Sequence, residues 1–273
     1  TQGVSSAASD VYKRQVLSDT NKNECYVYKW YNSSQERLQS SWSKWSFHNG
    51  KVASGNLIPK NIASVAFNNA DLFFTFEDGS YEKMELSELV SPILLDNQLT
   101  VVPTDTTYTG LPTNVAAHLT NRMVVITEEG INLGLAQDAA NLNKIVSSLN
   151  DSKTLVFGEP YTFKYQLSEQ VFKPVKGDST KLARFQLRKL AFNYSNTGTF
   201  KVTVDSVGRD PTVSTFTGRL LGQEDNILGT ATVVPEGSFP VGIQSQADKT
   251  NITITNDTHL PSVFQSAEWE GFV

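Results

Sequence analysis

The sequence predicts an all-β protein: a C-terminal antiparallel β-sandwich, preceded by a partial set of propeller-like strands and one short helix. Three observations carry this. Between Leu155 and Val273, apolar and polar residues alternate with a period of two: Tyr161, Phe163, Tyr165 and Leu167 against Thr162, Lys164 and Gln166, then Phe200, Val202 and Val204 against Thr199, Lys201 and Thr203, then Ile252 and Ile254 against Asn251, Thr253 and Thr255. Such alternation puts every second side chain on one face and half-buries the strand, as in a sandwich. Upstream, short apolar runs are separated by turn dipeptides such as Asn49-Gly50 and Asp78-Gly79, whose residues tolerate positive φ. Helical spacing is read in one place only, Asp138 to Asn150.

Composition sets the outer bounds. A chain of 273 residues with 39% hydrophobic and 10% aromatic residues has the material for one large core or two ordinary ones, and its mixed texture favours two. The formal net charge is -5, with Lys and Arg scattered along the chain. Tight nucleic-acid binding needs a basic stripe to neutralise phosphates, and none is visible. A mildly acidic surface suits a wall past which DNA slides without sticking, and it is also what most globular proteins carry. Cys25 is the single cysteine, which excludes an internal disulfide and a multi-thiolate metal site. Its apolar setting, Cys25 to Tyr31, predicts a small buried side chain. No apolar run reaches the roughly 20 residues that carry a helix across a bilayer, so no membrane anchor of that kind is expected.

In chain order, residues 1–15 show no apolar period. Ser9 to Gln15 resembles a translated sequencing-adapter remnant, so this tract is expected to be disordered, of non-native origin, and outside the fold. Residues 16–90 read as propeller-like strands: Glu24 to Tyr31, Leu38 to Phe47, Lys51 to Ile58 after the Asn49-Gly50 turn, Ser64 to Phe67, Leu72 to Phe76, and Tyr81 to Leu86 after Asp78-Gly79. At about four strands per blade they supply one or two blades, too few to close a ring. Residues 91–154, with Pro92, Pro103, Pro112 and a Thr-rich run, read as an insertion or linker that holds a strand at Met123 to Ile126 and the helix behind Asp138. Residues 155–273 form the sandwich. Within it Phe185 and Leu187 hold one phase and Leu190, Phe192 and Tyr194 the other. A strand cannot change faces without an extra residue, so a β-bulge is placed near Arg188 and Lys189. Ser195-Asn196-Thr197-Gly198 is read as a hairpin turn onto Thr199 to Asp205. Further strands are placed at Thr215 to Leu221, Gly229 to Val234, Phe239 to Ile243 and Asn251 to Thr255.

Four segments of this unit carry a family resemblance: Phe185-Gln186-Leu187-Arg188-Lys189-Leu190, Tyr194 to Phe200, Phe216 to Gly222 and, most specific, Phe264-Gln265-Ser266-Ala267-Glu268-Trp269-Glu270-Gly271-Phe272. They resemble the C-terminal region of the tail tubular protein B family, the tail nozzles of short-tailed phages of the autographivirus type. The resemblance runs over about 155–273, with a weaker echo from Gln39 to Leu86, where the family fold includes a β-propeller. It implies a virion component in the tail, six copies ringing a channel for DNA exit, docking on an adaptor or gatekeeper ring, and anchorage of tail fibres. DNA would pass transiently without specific binding, and no cofactor or metal is implied. It also implies that the chain is part of a longer subunit, because family members continue past Glu-Trp-Glu-Gly-Phe into a short basic tail that this chain lacks.

The residues themselves offer little chemistry. His48, His118 and His259 are far apart, without neighbours of metal-ligand or nucleophile type. Glu268 and Glu270 alternate on a candidate strand and so point the same way. Paired carboxylates can hydrolyse glycosides, yet an acidic pair on an exposed strand is far commoner. Trp42 and Trp45 have opposite strand parity and cannot share a sugar-stacking face without a bulge. Asn-x-Ser/Thr triplets at Asn32, Asn193, Asn251 and Asn256 read as by-products of Asn- and Thr-rich strands. The candidate interface is Phe264, Glu268, Trp269, Glu270 and Phe272. Trp269 has two open readings, closing the sandwich core or facing a partner. The predicted function is a non-enzymatic virion part. The alternative is a glycan-binding or glycan-depolymerising β protein of a phage tail or cell surface.

Overall fold

A computed structural model describes residues 11–17, 21–32, 37–54, 56–68, 71–85, 93–101, 122–128, 130–136, 154–170, 185–218 and 233–272. The described chain is almost entirely antiparallel strand, which bears out the all-β class. The helix expected over 138–150 lies outside these residues. The chain divides into two compact units, Thr1–Val90 and Ser91–Val273.

In the first unit, β1 (Val11–Leu17), β2 (Glu24–Asn32) and β3 (Arg37–Ser46) form one sheet, and β4 (His48–Ala53) pairs with β5 (Asn56–Pro59). A third sheet holds β6 (Ile62–Asn68), β7 (Asp71–Phe76) and β8 (Tyr81–Glu85). Among the described residues these sheets have three, two and three strands, where blades of about four were expected. β1 pairs with β2 from Val11↔Tyr31 to Leu17↔Cys25, and its first five residues fall in the tract expected to be disordered. The expected turn at Asn49-Gly50 falls inside β4, where the register against β5 shifts between His48 and Val52. The chain instead reverses after Ala53, beside Ser54 at φ 51°. Asp78-Gly79 does turn the chain: Gly79 has φ 82°, and the Ser80 amide donates to Asp78 Oδ1 at 2.9 Å. Cys25, Val27, Ile62, Leu72, Phe74 and Phe76 form the core, with Trp45 and Phe47 packed on it. Burial raises the pKa of the Cys25 thiol.

The second unit holds a four-stranded sheet and a sandwich. The sheet runs β11-β10-β12-β9, with β9 at Asp96–Val101, β10 at Val124–Thr127, β11 at Asn132–Leu135 and β12 at Leu155–Glu159. β12 therefore belongs with strands of the stretch read as a linker, and not with the sandwich that was expected to start there. All five residues of β12 are buried, because β10 and β9 flank it on both edges and apolar clusters cover both faces: Met123, Val125, Leu155 and Phe157 on one, Ile93, Val124, Ile126 and Val156 on the other.

The sandwich consists of two sheets. One has the order β13-β18-β15-β16: β13 (Phe163–Gln166), β18 (Thr250–Asn256), β15 (Thr199–Ser206) and β16 (Thr212–Thr217). The other has the order β17-β14-β19: β17 (Val234–Gln246), β14 (Gln186–Thr197) and β19 (Val263–Phe272). The predicted bulge is present: the register of β14 shifts between Leu187 and Lys189 against both neighbours. This extra residue lets Leu187 and then Leu190, Phe192 and Tyr194 all face the core. The predicted hairpin at Ser195 to Gly198 is corrected. β14 and β15 lie in different sheets, so the chain crosses between layers there. A hairpin would have put Phe192 and Phe200 in one sheet, whereas the crossing sets them on opposite walls of one core, 6.5 Å apart in a T-shaped pair. Gly198 is needed at the crossing, since a Cβ there would come within 2.8 Å of Leu260 Cβ.

Candidate assembly surface

The predicted interface residues all lie on β19, the edge strand of the β17-β14-β19 sheet. Their placement follows from its pairing with β14. Ala267 stands opposite Phe192 and Trp269 opposite Leu190, on the core side, while Glu268 stands opposite Ala191 and Glu270 opposite Lys189, on the outer side. A second register shift, between Asn193 and Tyr194, brings Phe264 opposite Tyr194 and so onto the core side as well.

The five residues separate by burial. Phe264 packs into the core with its ring 4.9 Å from Phe200 and 6.2 Å from Phe192. It is partly buried, packed against the sandwich core. Trp269 answers its open question with a divided position: one edge meets the buried Phe185 ring at 4.8 Å, yet 45% of the residue stays exposed. Phe272 is 58% exposed, and the Arg188 guanidinium sits 5.1 Å from its ring centroid. Glu268 is tied back to the sheet, since Asn193 Nδ2 donates to its Oε1 at 2.9 Å and to Ser266 Oγ at 2.9 Å. The strand thus leaves one ring exposed on each face of its C-terminal end, Trp269 on the core side opposite Leu190 and Phe272 on the outer side opposite Gln186. Close packing also restricts that end, because a Cβ at Gly271 would stand 2.6 Å from the Phe185 ring and 2.5 Å from the Gln186 carbonyl oxygen.

Sequence reasoning missed other exposed aromatics. Tyr161, Phe163 and Tyr165 were expected to be half-buried by alternation, but all are exposed. Phe163 pairs with Asn256 and Tyr165 with Ile254 on the core side, on an edge strand of the sheet. In the first unit, Trp42 pairs with Tyr28 on the outer side, ring centroids 4.9 Å apart, while Trp45 pairs with Cys25 on the core side. That division was legible from their opposite parity.

Among the described residues no group of three or more His, Cys, Asp or Glu side chains could hold a metal ion. Glu268 and Glu270 share the outer face of the sheet. His259 is buried and hydrogen-bonded through Nε2 to the Gly130 carbonyl at 2.7 Å, while its own carbonyl accepts from the Leu94 amide at 2.7 Å. It joins the loop after β18 to the four-stranded sheet, and burial lowers its pKa. His118 lies outside the described residues.

The bacteriophage nozzle protein family profile matches residues 4–273, and the chain belongs to that family. The class is a structural protein of the phage tail, placed in the virion. A particular relative is tail tubular protein gp12 of Escherichia phage T7, 23% identical over 274 residues covering 94% of this chain and 34% of that protein. The chain thus spans about a third of the length of the curated relative. Two solved structures give remote likenesses. An exo-β-1,3-galactanase from Phanerochaete chrysosporium with galactose matches at 10% identity and a TM-score of 0.15, over 93% of this chain and 80% of that one. A second structure of that enzyme, with β-1,3-galactotriose, matches at 10% identity and a TM-score of 0.17, over 95% and 82%. Scores this low carry no argument.

Proposed function

We propose that this chain forms part of the wall of a phage tail nozzle, in which copies surround a passage for DNA. Six copies ring the channel, an adaptor or gatekeeper ring docks on one side, and tail fibres anchor on the outside. DNA passes without specific binding, and the chain catalyses no reaction. The observation that carries this reading is the half-exposed Trp269 and exposed Phe272 on an edge strand of a chain from the nozzle family. Aromatics of this kind supply much of the energy of protein interfaces once a neighbour covers them. The net charge of -5 supports passage without adhesion, since phosphates find no basic stripe. The test is mass photometry and negative-stain imaging of the full-length protein. Six-membered rings are expected, and a monomer at every concentration overturns the proposal.

A second reading, glycan binding, rests on Trp42, 58% exposed beside Tyr28. Glycan-array binding that is lost in Trp42→Ala would favour it.

A further inference from the structure

The edges of the sandwich are protected unequally. Of its four edge strands, β13 has four residues and β16 six, too short to template a long partner. β17 is long, but of Pro235 and Pro240, five residues apart, one removes an amide donor from its free edge and the other from the side facing β14. β19 has ten residues with neither Pro nor Lys, and no described strand pairs with its outer side. A long, unblocked edge presents a row of unpaired N–H and C=O groups and recruits another strand unless something covers it. The same strand carries the two exposed aromatics, Trp269 and Phe272.

The occupant follows from the enclosure that a nozzle requires. None of the described sheets of either unit closes on itself, and on the nozzle reading the wall of the passage comes from several copies. A ring requires head-to-tail contacts between two different surfaces of neighbouring copies. Pairing β19 with β19 would instead make a closed two-fold dimer. It would also gather four carboxylates, Glu268 and Glu270 of each copy, around the middle of one sheet face, where like charges repel.

From these observations, and resting on the nozzle reading above, we infer that the free edge of β19 takes up an extended strand of a second copy. The β17-β14-β19 sheet then continues across the subunit boundary, and Trp269 and Phe272 pack against the incoming side chains. Main-chain hydrogen bonds give this contact its strength, and the aromatics give it its register.

Amide hydrogen exchange on the full-length protein tests this, read residue by residue in the assembled and diluted states. In an antiparallel ladder, successive N–H groups point to opposite sides. Alternate amides of β19 therefore face β14 and the others face the free edge. Protection of consecutive amides from Ser266 to Glu270 is expected in the assembly, with every second one exchanging at least ten times faster after dissociation. Rings whose alternate β19 amides stay unprotected would sink strand addition and leave the nozzle reading standing. Full protection in the dissociated monomer would show that the chain covers its own edge, and would also sink it. A protein that never assembles removes both readings together. Ala267→Pro and Glu268→Pro give an independent check, since one loses an amide that bonds β14 and the other an amide on the free edge. One variant is expected to melt lower. The other should keep the monomer's melting temperature and raise the concentration needed for assembly at least ten-fold. Unchanged assembly in both overturns the inference.

Discussion

The sandwich and the Thr1–Val90 unit are made from the same kind of strand but bury it differently. In the sandwich two sheets close on one cluster of fourteen buried residues, built around Phe192, Phe200 and Phe216. In the first unit the buried cluster has six residues among those described, and the opposite face of the β1-β2-β3 sheet leaves Tyr26 and Trp42 exposed. The comparison teaches that alternation selects which residues share a face, while a second layer decides whether that face is buried. Trp42 and Trp45 make the point within one strand: three residues apart, one is on the surface and the other against Phe74.

Several experiments would break or sharpen this comparison. The largest effect is expected from Phe200→Ala, which empties the centre of the sandwich where Tyr194, Phe216, Phe239 and Phe264 all meet that ring. A loss of about 3–5 kcal/mol is expected in chemical denaturation, confined to the transition of the Ser91–Val273 unit. If the first unit melted in step with it, the division into two units would fail. Next comes Gly237→Ala, whose Cβ would come within 2.4 Å of the Tyr194 hydroxyl oxygen and 2.7 Å of the ring. Overpacking there costs about 1–3 kcal/mol. A neutral result would mean that the Tyr194 side chain moves aside freely, and that the sandwich is looser than its ring packing implies.

His259 distinguishes the two units by pH. Its folded pKa is held below the ordinary value of 6.5, first by burial, with the Gly130 hydrogen bond opposing. The unfolded chain therefore binds the proton more readily. Stability is present in full above the unfolded value and is lost as pH falls below 6.5 toward and through the folded value. The Ser91–Val273 unit should weaken over that window, and His259→Gln should flatten the slope. An unaltered slope in the variant would assign it to other groups. The smallest effect is expected from Trp42→Ala, about 0.5 kcal/mol or less as for most surface positions, against roughly 2–4 kcal/mol for Trp45→Ala. Equal losses would show that the outer face of the β1-β2-β3 sheet is covered.

Much of this was legible in the chain. The bulge at Arg188 and Lys189 could be read because a change of phase on one strand has a single local remedy. The Asp78-Gly79 turn could be read because Gly79 accepts positive φ without strain. Asn49-Gly50 has the same chemistry, yet it lies inside β4, because the pairing of β4 with β5 outweighed a local turn preference. Ser195 to Gly198 has turn composition too, but no local signal tells a hairpin from a step between layers. For the candidate surface, the motif from Phe264 to Phe272 picked out the right strand. It could not separate Phe264 from Trp269, because burial there depends on the second register shift against β14.

By itself the sequence determined the class of structure, the shared faces of its strands and the family, since these depend on alternation and on side chains next to one another along the chain. Tertiary structure alone decided which strands became neighbours, that the chain changes layer at Gly198, and that β19 is an edge with Trp269 half uncovered. Each of these turns on contacts between residues far apart in sequence, whose energies no local pattern records.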